Sequence, residues 1–207
     1  MKYSLLVKKL ELTNEKFVTR ETIRIYCKEL KISYYSTIGY LIANSYLIRI
    51  LRGIFYVKSI EERKHKKIDL GYIEAISEAM RIKKANWYFG LESAIKFNNL
   101  THEYFSIETI ITDSFSRPRP IEIFGVKIKF IKVNKALLNF GLLGDKYKYS
   151  DIEKTILDMV YLGKYNSKSD ESIKERISFL LNNVSKKKLV EYALHYPKTV
   201  ERFLSIK

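Results

Sequence analysis

Glutamine is absent from the 207 residues, cysteine occurs once and proline three times. A single cysteine, Cys27, cannot close an internal disulfide, so the chain suits a reducing cytoplasm and Cys27 reads as a packing residue in a helix. Three prolines and eight glycines leave little room for long disordered stretches. No apolar run is long enough to span a bilayer. The opening "MKYSLLVKKLEL" is interrupted by lysines and has no small-residue cleavage site, so it does not read as a secretory signal. A cytoplasmic protein with no membrane partner is expected. The missing glutamine, together with abundant Ile, Lys, Glu and Tyr, resembles the composition of thermophile proteins.

Chemistry-bearing patterns are also scarce. The three histidines, His65, His102 and His195, stand apart from one another and from any Cys or acidic cluster at ligand spacing, so no metal is expected. There is no phosphate-binding glycine loop of either common type and no Ser or Cys in a nucleophile context, so no cofactor and no catalytic residue is assigned. A nuclease-like reading would use Asp113 and Glu122 at strand ends, but the position two after Glu122 is Phe124 rather than lysine. In "SDIEKTILD" (150–158), Asp151 and Glu153 fall in a first helical turn, where acids complement the helix dipole, and Ser150 can cap it. That account is complete without a metal.

Positive charge, in contrast, is plentiful. The formal net charge is +15, and residues 1–60 hold eleven Lys or Arg against four Glu, a net +7, leaving +8 for the other 147 residues. The density in the first segment is therefore about twice that of the rest, which favours a polyanionic partner. A lysine-rich thermophile surface is the competing explanation.

The first sixty residues predict a winged helix-turn-helix: a helix over 2–10, a helix from Arg20 to Leu30 capped by Thr19, a turn at Lys31-Ile32, and a helix over 34–44 with Ser33 as N-cap. Ile38, Leu41 and Ile42 of the last would face inward. A hairpin, "LIRILRGIFYV" (47–57), turns at Arg52-Gly53. In this motif the third helix enters the major groove N-terminal end first. Candidate DNA contacts are Lys31, Ser33, Tyr35, Ser36, Thr37 and Tyr40, with Tyr34 assigned to the core. Arg49 and Arg52 come from the hairpin, Arg52 at its tip.

Residues 61–68 belong to a charged run, 58–68, that reads as a linker or a solvated helix end; taken as a linker, it makes 1–60 the first domain and 69–207 the second. Helices are expected near 73–80, over 87–100 and from 150 to 162. Strands are expected at 105–112 and 121–132, with Gly125 permitting a turn or bulge in the latter, and two or three helices at 169–182, 185–194 and 197–205 form a tail. The fold class is α+β. The loop "SRPRP" between the strands adds Arg117 and Arg119 as further contacts to DNA or an acidic partner, against a plain solvated turn.

Taken together, several stretches resemble the AbiEi antitoxins of type IV toxin–antitoxin systems and related regulators. These are "FVTRETIRIYCKELKISYYSTIGYLIANSYLIRILRGIFYV", "YFGLESAIKFNNLTHE", "SIETIITD", the "RPRP" loop, "VKIKFIKV" and "SDIEKTILDMV", and the resemblance covers about residues 15–165. In the last motif Ile152 stands where the family commonly has proline. The resemblance implies an antitoxin-like second domain. It implies a repressor that binds double-stranded operator DNA at inverted repeats, as a dimer or two cooperating monomers, and counteracts a nucleotidyltransferase-type toxin encoded nearby. A standalone regulator without a toxin, or a metal-dependent nuclease-like enzyme, are the rival readings.

Overall fold

A computed structural model describes residues 2–205. The fold is mixed α/β, and the chain divides into two compact units, Met1–Lys84 and Ala85–Lys207. Among the described residues no helix is long and apolar enough to cross a membrane.

The first unit begins with α1 (Lys2–Thr13), a short strand β1 (Phe17–Thr19), α2 (Arg20–Glu29) and α3 (Tyr34–Ala43). The hairpin β2 (Leu47–Leu51) and β3 (Ile54–Val57) follows, then α4 (Ile60–His65) and α5 (Tyr72–Ile82). The strands form one antiparallel sheet in the order β1-β3-β2. The apolar positions of α1, α2 and α3 meet the sheet in a core of Leu6, Leu10, Ile23, Cys27, Leu41 and Phe55, among others.

Local chemistry sets the corners. Thr19 caps α2 by accepting a hydrogen bond from the Thr22 amide at 3.2 Å. The helix ends in a Schellman turn: Lys31 is left-handed (φ +51), the Ile32 amide donates to Cys27 O and the Lys31 amide to Lys28 O. Ile32 then packs on the core. The same device closes α3, with Ser45 at φ +59 and the Tyr46 amide donating to Leu41 O at 2.8 Å. Two such turns in succession fold α2, α3 and β2 back on one another with very short connections.

The charged run of 58–68 is not a linker. Ser59 and Glu62 form a capping box that starts α4. Glu62 is buried at 3% exposure and accepts bonds from the Tyr56 hydroxyl (2.7 Å) and from the Asp69 and Ser59 amides (both 2.9 Å). Burial pushes its carboxyl up, but these bonds and the Lys58 charge together hold it below its usual value. The unit boundary accordingly falls after Lys84 rather than at 61–68, and α5, with Ala75, Ile76, Ala79 and Met80 buried, packs against β2.

The second unit contains β4 (Trp87–Phe89), α6 (Glu92–Phe97), β5 (Ile107–Thr112), β6 (Ile121–Ile123), β7 (Val126–Lys132), β8 (Leu142–Leu143) and β9 (Tyr149–Ser150). Helices α7 (Ile152–Tyr165), α8 (Asp170–Ile177), α9 (Lys186–Ala193) and α10 (Lys198–Phe203) follow. Its six strands run in the order β6-β7-β5-β4-β9-β8, with β5/β7 and β4/β9 parallel and the other pairs antiparallel.

One element differs from expectation, and another takes the turn that its glycine permits. The 87–100 stretch is not one helix: its aromatic start pairs with β5 and β9. The chain then turns through Gly90, where a Cβ would meet Ile111 at 2.4 Å, and Leu91, at φ +54 and ψ −127. The 121–132 stretch is a hairpin, because Phe124 and Gly125 both take positive φ (+50 and +80), the geometry of a tight two-residue turn. The tail is helical as the periodicity indicates.

Candidate nucleic-acid interface

Helix α3 presents one face to the core and one to solvent. Ile38 and Leu41 are buried, and Tyr34 is half-buried against the same cluster. Tyr35 is 78% exposed, and Ser36, Gly39, Tyr40 and Ala43 are exposed with it. Ile42, expected to face inward, is on the exposed side as well.

Thr37 corrects the sequence reading. It is fully buried, and its hydroxyl donates to Ser33 O at 2.6 Å, so it faces away from any groove-bound partner. Ser33 occupies the N-cap position but its side chain makes no capping bond. It is exposed, while its carbonyl accepts from the Ser36 hydroxyl as well as from Thr37.

Neighbouring elements extend this surface with rings. Tyr40 stacks on Tyr3 of α1, with ring centroids 4.6 Å apart, and on Tyr46 at 6.2 Å. The Tyr3 hydroxyl donates to Ser36 Oγ at 3.3 Å. The Arg24 guanidinium lies 5.2 Å from the Tyr34 ring centre, and Tyr34 meets Tyr35 edge-on at 5.4 Å. Tyr3, Arg24 and Tyr46 are therefore additions that the sequence did not reveal. Tyr3 and Ser36 are 33 positions apart, and no local periodicity links them.

Lys31 sits at the left-handed turn before α3, exposed. Arg49 projects from β2 with its guanidinium 5.8 Å from the Phe55 ring centre. Arg52 is exposed at the β2–β3 turn, which Gly53 makes possible at φ +81. The turn is braced, because the Arg20 amide donates to Gly53 O at 2.7 Å. Beneath it lies a shallow cleft of about 360 Å³, lined by Arg20, Glu21, Arg52 and Lys83 among others. Within it the Arg20 Nε is buried without a hydrogen-bond partner.

Arg117 and Arg119 belong to the second unit. Their loop is fastened to β7: the Arg117 amide and the Ser116 hydroxyl both bond to Phe130 O, and Phe115 packs on Phe130 at 4.9 Å. Arg119 is exposed and Arg117 half-buried. Eight of the ten predicted contacts thus lie in the first unit; of these Thr37 turns inward and the other seven reach its surface.

The acidic helix start "SDIEKTILD" is built inward. Asp151, not Ser150, is the N-cap of α7, accepting from the Lys154 amide at 2.9 Å, while Ser150 closes β9 and shares a hydrogen bond with Thr155. Glu153 accepts from the Ser185 amide. Lys154 and Asp158 are fully buried, 3.6 Å apart. Tyr88 and Tyr196 each donate to one oxygen of Asp158 at 2.7 Å. The Lys154 ammonium donates to Leu137 O at 2.7 Å and lies over the faces of Phe140 and Tyr88.

Burial pulls the Lys154 pKa down, with the Asp158 charge opposing it. Burial and the same carboxylate push the Tyr88 and Tyr196 hydroxyls up. Burial likewise raises Asp151, and raises Tyr192, which bonds to it, to about 12. Every acid of this stretch is occupied by an internal partner. Among the described residues no group of three or more His, Cys, Asp or Glu could hold a metal ion.

No family model matches the chain, and no curated protein matches it in sequence. In fold it is similar to a solved structure, that of the RV2827C protein from Mycobacterium tuberculosis. The TM-score is 0.53 at 14% identity, with 99% of this chain and 75% of that one covered. At this identity the likeness concerns the fold alone.

Proposed function

We propose that the first unit is a winged helix-turn-helix that binds double-stranded DNA, with α3 in the major groove and the β2–β3 turn as the wing. The observation that carries this reading is the outward face of α3. Tyr35 and Ser36 stand exposed at its first turn, with Lys31 in the turn before it and Arg52 at the tip of the hairpin after it. Helix-turn-helix proteins read bases with the N-terminal part of this helix and fix register through phosphate contacts from neighbouring elements. Eleven cations against four acids in residues 1–60 supply the non-specific attraction.

The chain is then a cytoplasmic transcriptional regulator. Its resemblance to AbiEi antitoxins supports a repressor of its own operon, bound at inverted repeats, that counteracts a nucleotidyltransferase-type toxin. The sealed partners of Asp151, Glu153 and Asp158 favour binding over catalysis for the second unit.

The test uses the full chain and duplex DNA from immediately upstream of its own reading frame. Affinity should fall steeply with salt, the slope counting the phosphates neutralised. Arg52→Ala should weaken binding and flatten that slope while leaving the melting temperature unchanged. Salt-independent or absent retention of the duplex refutes the DNA-binding reading. The toxin part is tested by co-expression with the adjacent reading frame: growth rescue supports it, and no rescue leaves a regulator alone.

A further inference from the structure

The DNA-binding reading leaves open which bases α3 selects, and the composition of its outer face bears on this. From N- to C-terminus that face is Tyr35, Ser36, Gly39, Tyr40, Ile42 and Ala43, all exposed. It holds no Arg, Lys, Asp, Glu, Asn or Gln. Guanine is read best by Arg or Lys, adenine by Asn or Gln, and cytosine by Asp or Glu, whereas the thymine methyl is read by apolar contact. Of these four means only the last is present on α3. Asn44, the C-cap residue just past the helix, donates one Nδ2–H to Tyr40 O at 2.9 Å. The cations of this unit sit off the helix, among them Arg24 and Lys28 of α2, Lys31 of the preceding turn, and Arg49 and Arg52 of the hairpin, and such side chains suit phosphate contacts.

Gly39 strengthens the case. Glycine inside a helix lowers stability relative to alanine, and internal packing usually explains it. Here a Cβ at Gly39 would meet nothing within 4 Å, so nothing in the protein requires its absence. A bare backbone at the centre of an exposed face allows an external surface to come close.

Resting on the DNA-binding reading, we infer that α3 selects A·T-rich DNA through thymine methyl groups. Gly39 and Ala43 give the close apolar contact, the Tyr35 and Tyr40 hydroxyls add hydrogen bonds, and the surrounding cations hold phosphates.

The experiment exposes the full chain to a duplex pool randomised at its centre and recovers the retained sequences. Centres enriched in A·T pairs are expected. In a recovered duplex, replacing thymine by deoxyuridine removes only the methyl group and should weaken binding several-fold at the central positions. Gly39→Ala should raise the melting temperature yet weaken binding, a pairing that misfolding cannot produce. Salt-dependent retention without base preference, or with G·C-rich centres, overturns this inference and leaves the DNA-binding reading standing. So does indifference to deoxyuridine. Failure to retain any duplex in a salt-dependent way overturns both.

Discussion

The two units use the same side chains in opposite directions. On the first unit, Tyr35 and Tyr40 of α3, Lys31 of its turn and the hairpin arginines Arg49 and Arg52 stand exposed. In the second, Lys154 and Asp158 of α7, Tyr88 of β4 and Tyr196 after α9 turn inward and satisfy one another, with Lys154 and Asp158 at zero exposure. A solvent-facing cation costs nothing to keep charged and remains available to a polyanion. A buried one must be paired and hydrogen-bonded, because removing it from water is expensive. The contrast separates a surface available for binding from an interior committed to holding helices together.

Breaking the inward set should have the largest effect. Lys154→Ala or Asp158→Ala leaves a lone charge in the core, and loss of about 3–5 kcal/mol from the second unit is expected. Urea unfolding of the full chain would show this as one early transition. A midpoint unchanged from the parent would mean that the cluster contributes nothing.

The outward set should respond next. Arg52→Ala should reduce the salt slope of duplex binding by about one without shifting either unfolding transition. A large drop in melting temperature would instead make Arg52 part of the fold.

High pH sharpens the comparison further. Tyr88, Tyr192 and Tyr196 have folded pKa values above the usual 10.0 of tyrosine. Their contribution is therefore complete below pH 10 and is lost as the pH rises above it, since the unfolded chain releases those protons first. Lys154 is lowered from 10.5, so it acts in the opposite sense, its penalty easing as the pH approaches that value. Three groups against one predict a net loss of stability for the second unit above pH 10, which urea titrations at stepped pH would follow. Tyr196→Phe should make the decline shallower.

Lys31→Gly should give the smallest change. It removes left-handed strain of about 1 kcal/mol, partly offset by the greater freedom of glycine in the unfolded chain, while deleting a cation. The first unit should be slightly more stable and bind DNA less well. Equal losses in both would point to a structural role for the lysine side chain.

Element order in the first unit was legible because its signals are local. Thr19 as cap, Gly53 at the hairpin tip and the apolar spacing of Ile23, Cys27, Ile38 and Leu41 each act within one turn of helix or one strand pair. Thr37 was misassigned for a related reason: a hydroxyl at the fourth position after Ser33 can fold back on that carbonyl, and only the packing of α3 shows that it does. The 58–68 run misled because its charge density suggested a linker. Its one buried acid, Glu62, is held by Tyr56 and Asp69, and neither partner is visible from composition. Likewise "WYFGLESAIKF" has helical character throughout, yet pairing with β5 and β9 makes its first three residues a strand.

The sequence by itself determined the mixed helix-and-strand class, the helical tail, the hairpin with Arg52 beside its turn glycine, and the concentration of positive charge in the first sixty residues. All of these follow from composition or from interactions only a few residues apart. Tertiary structure alone decided where the units divide, that Tyr3 and Tyr46 flank Tyr40, and that Lys154, Asp158, Tyr88 and Tyr196 close on one another inside the second unit. Those features depend on side chains far apart in the chain meeting in a space that excludes water, and the energy of such meetings leaves no periodic trace in the residues that make them.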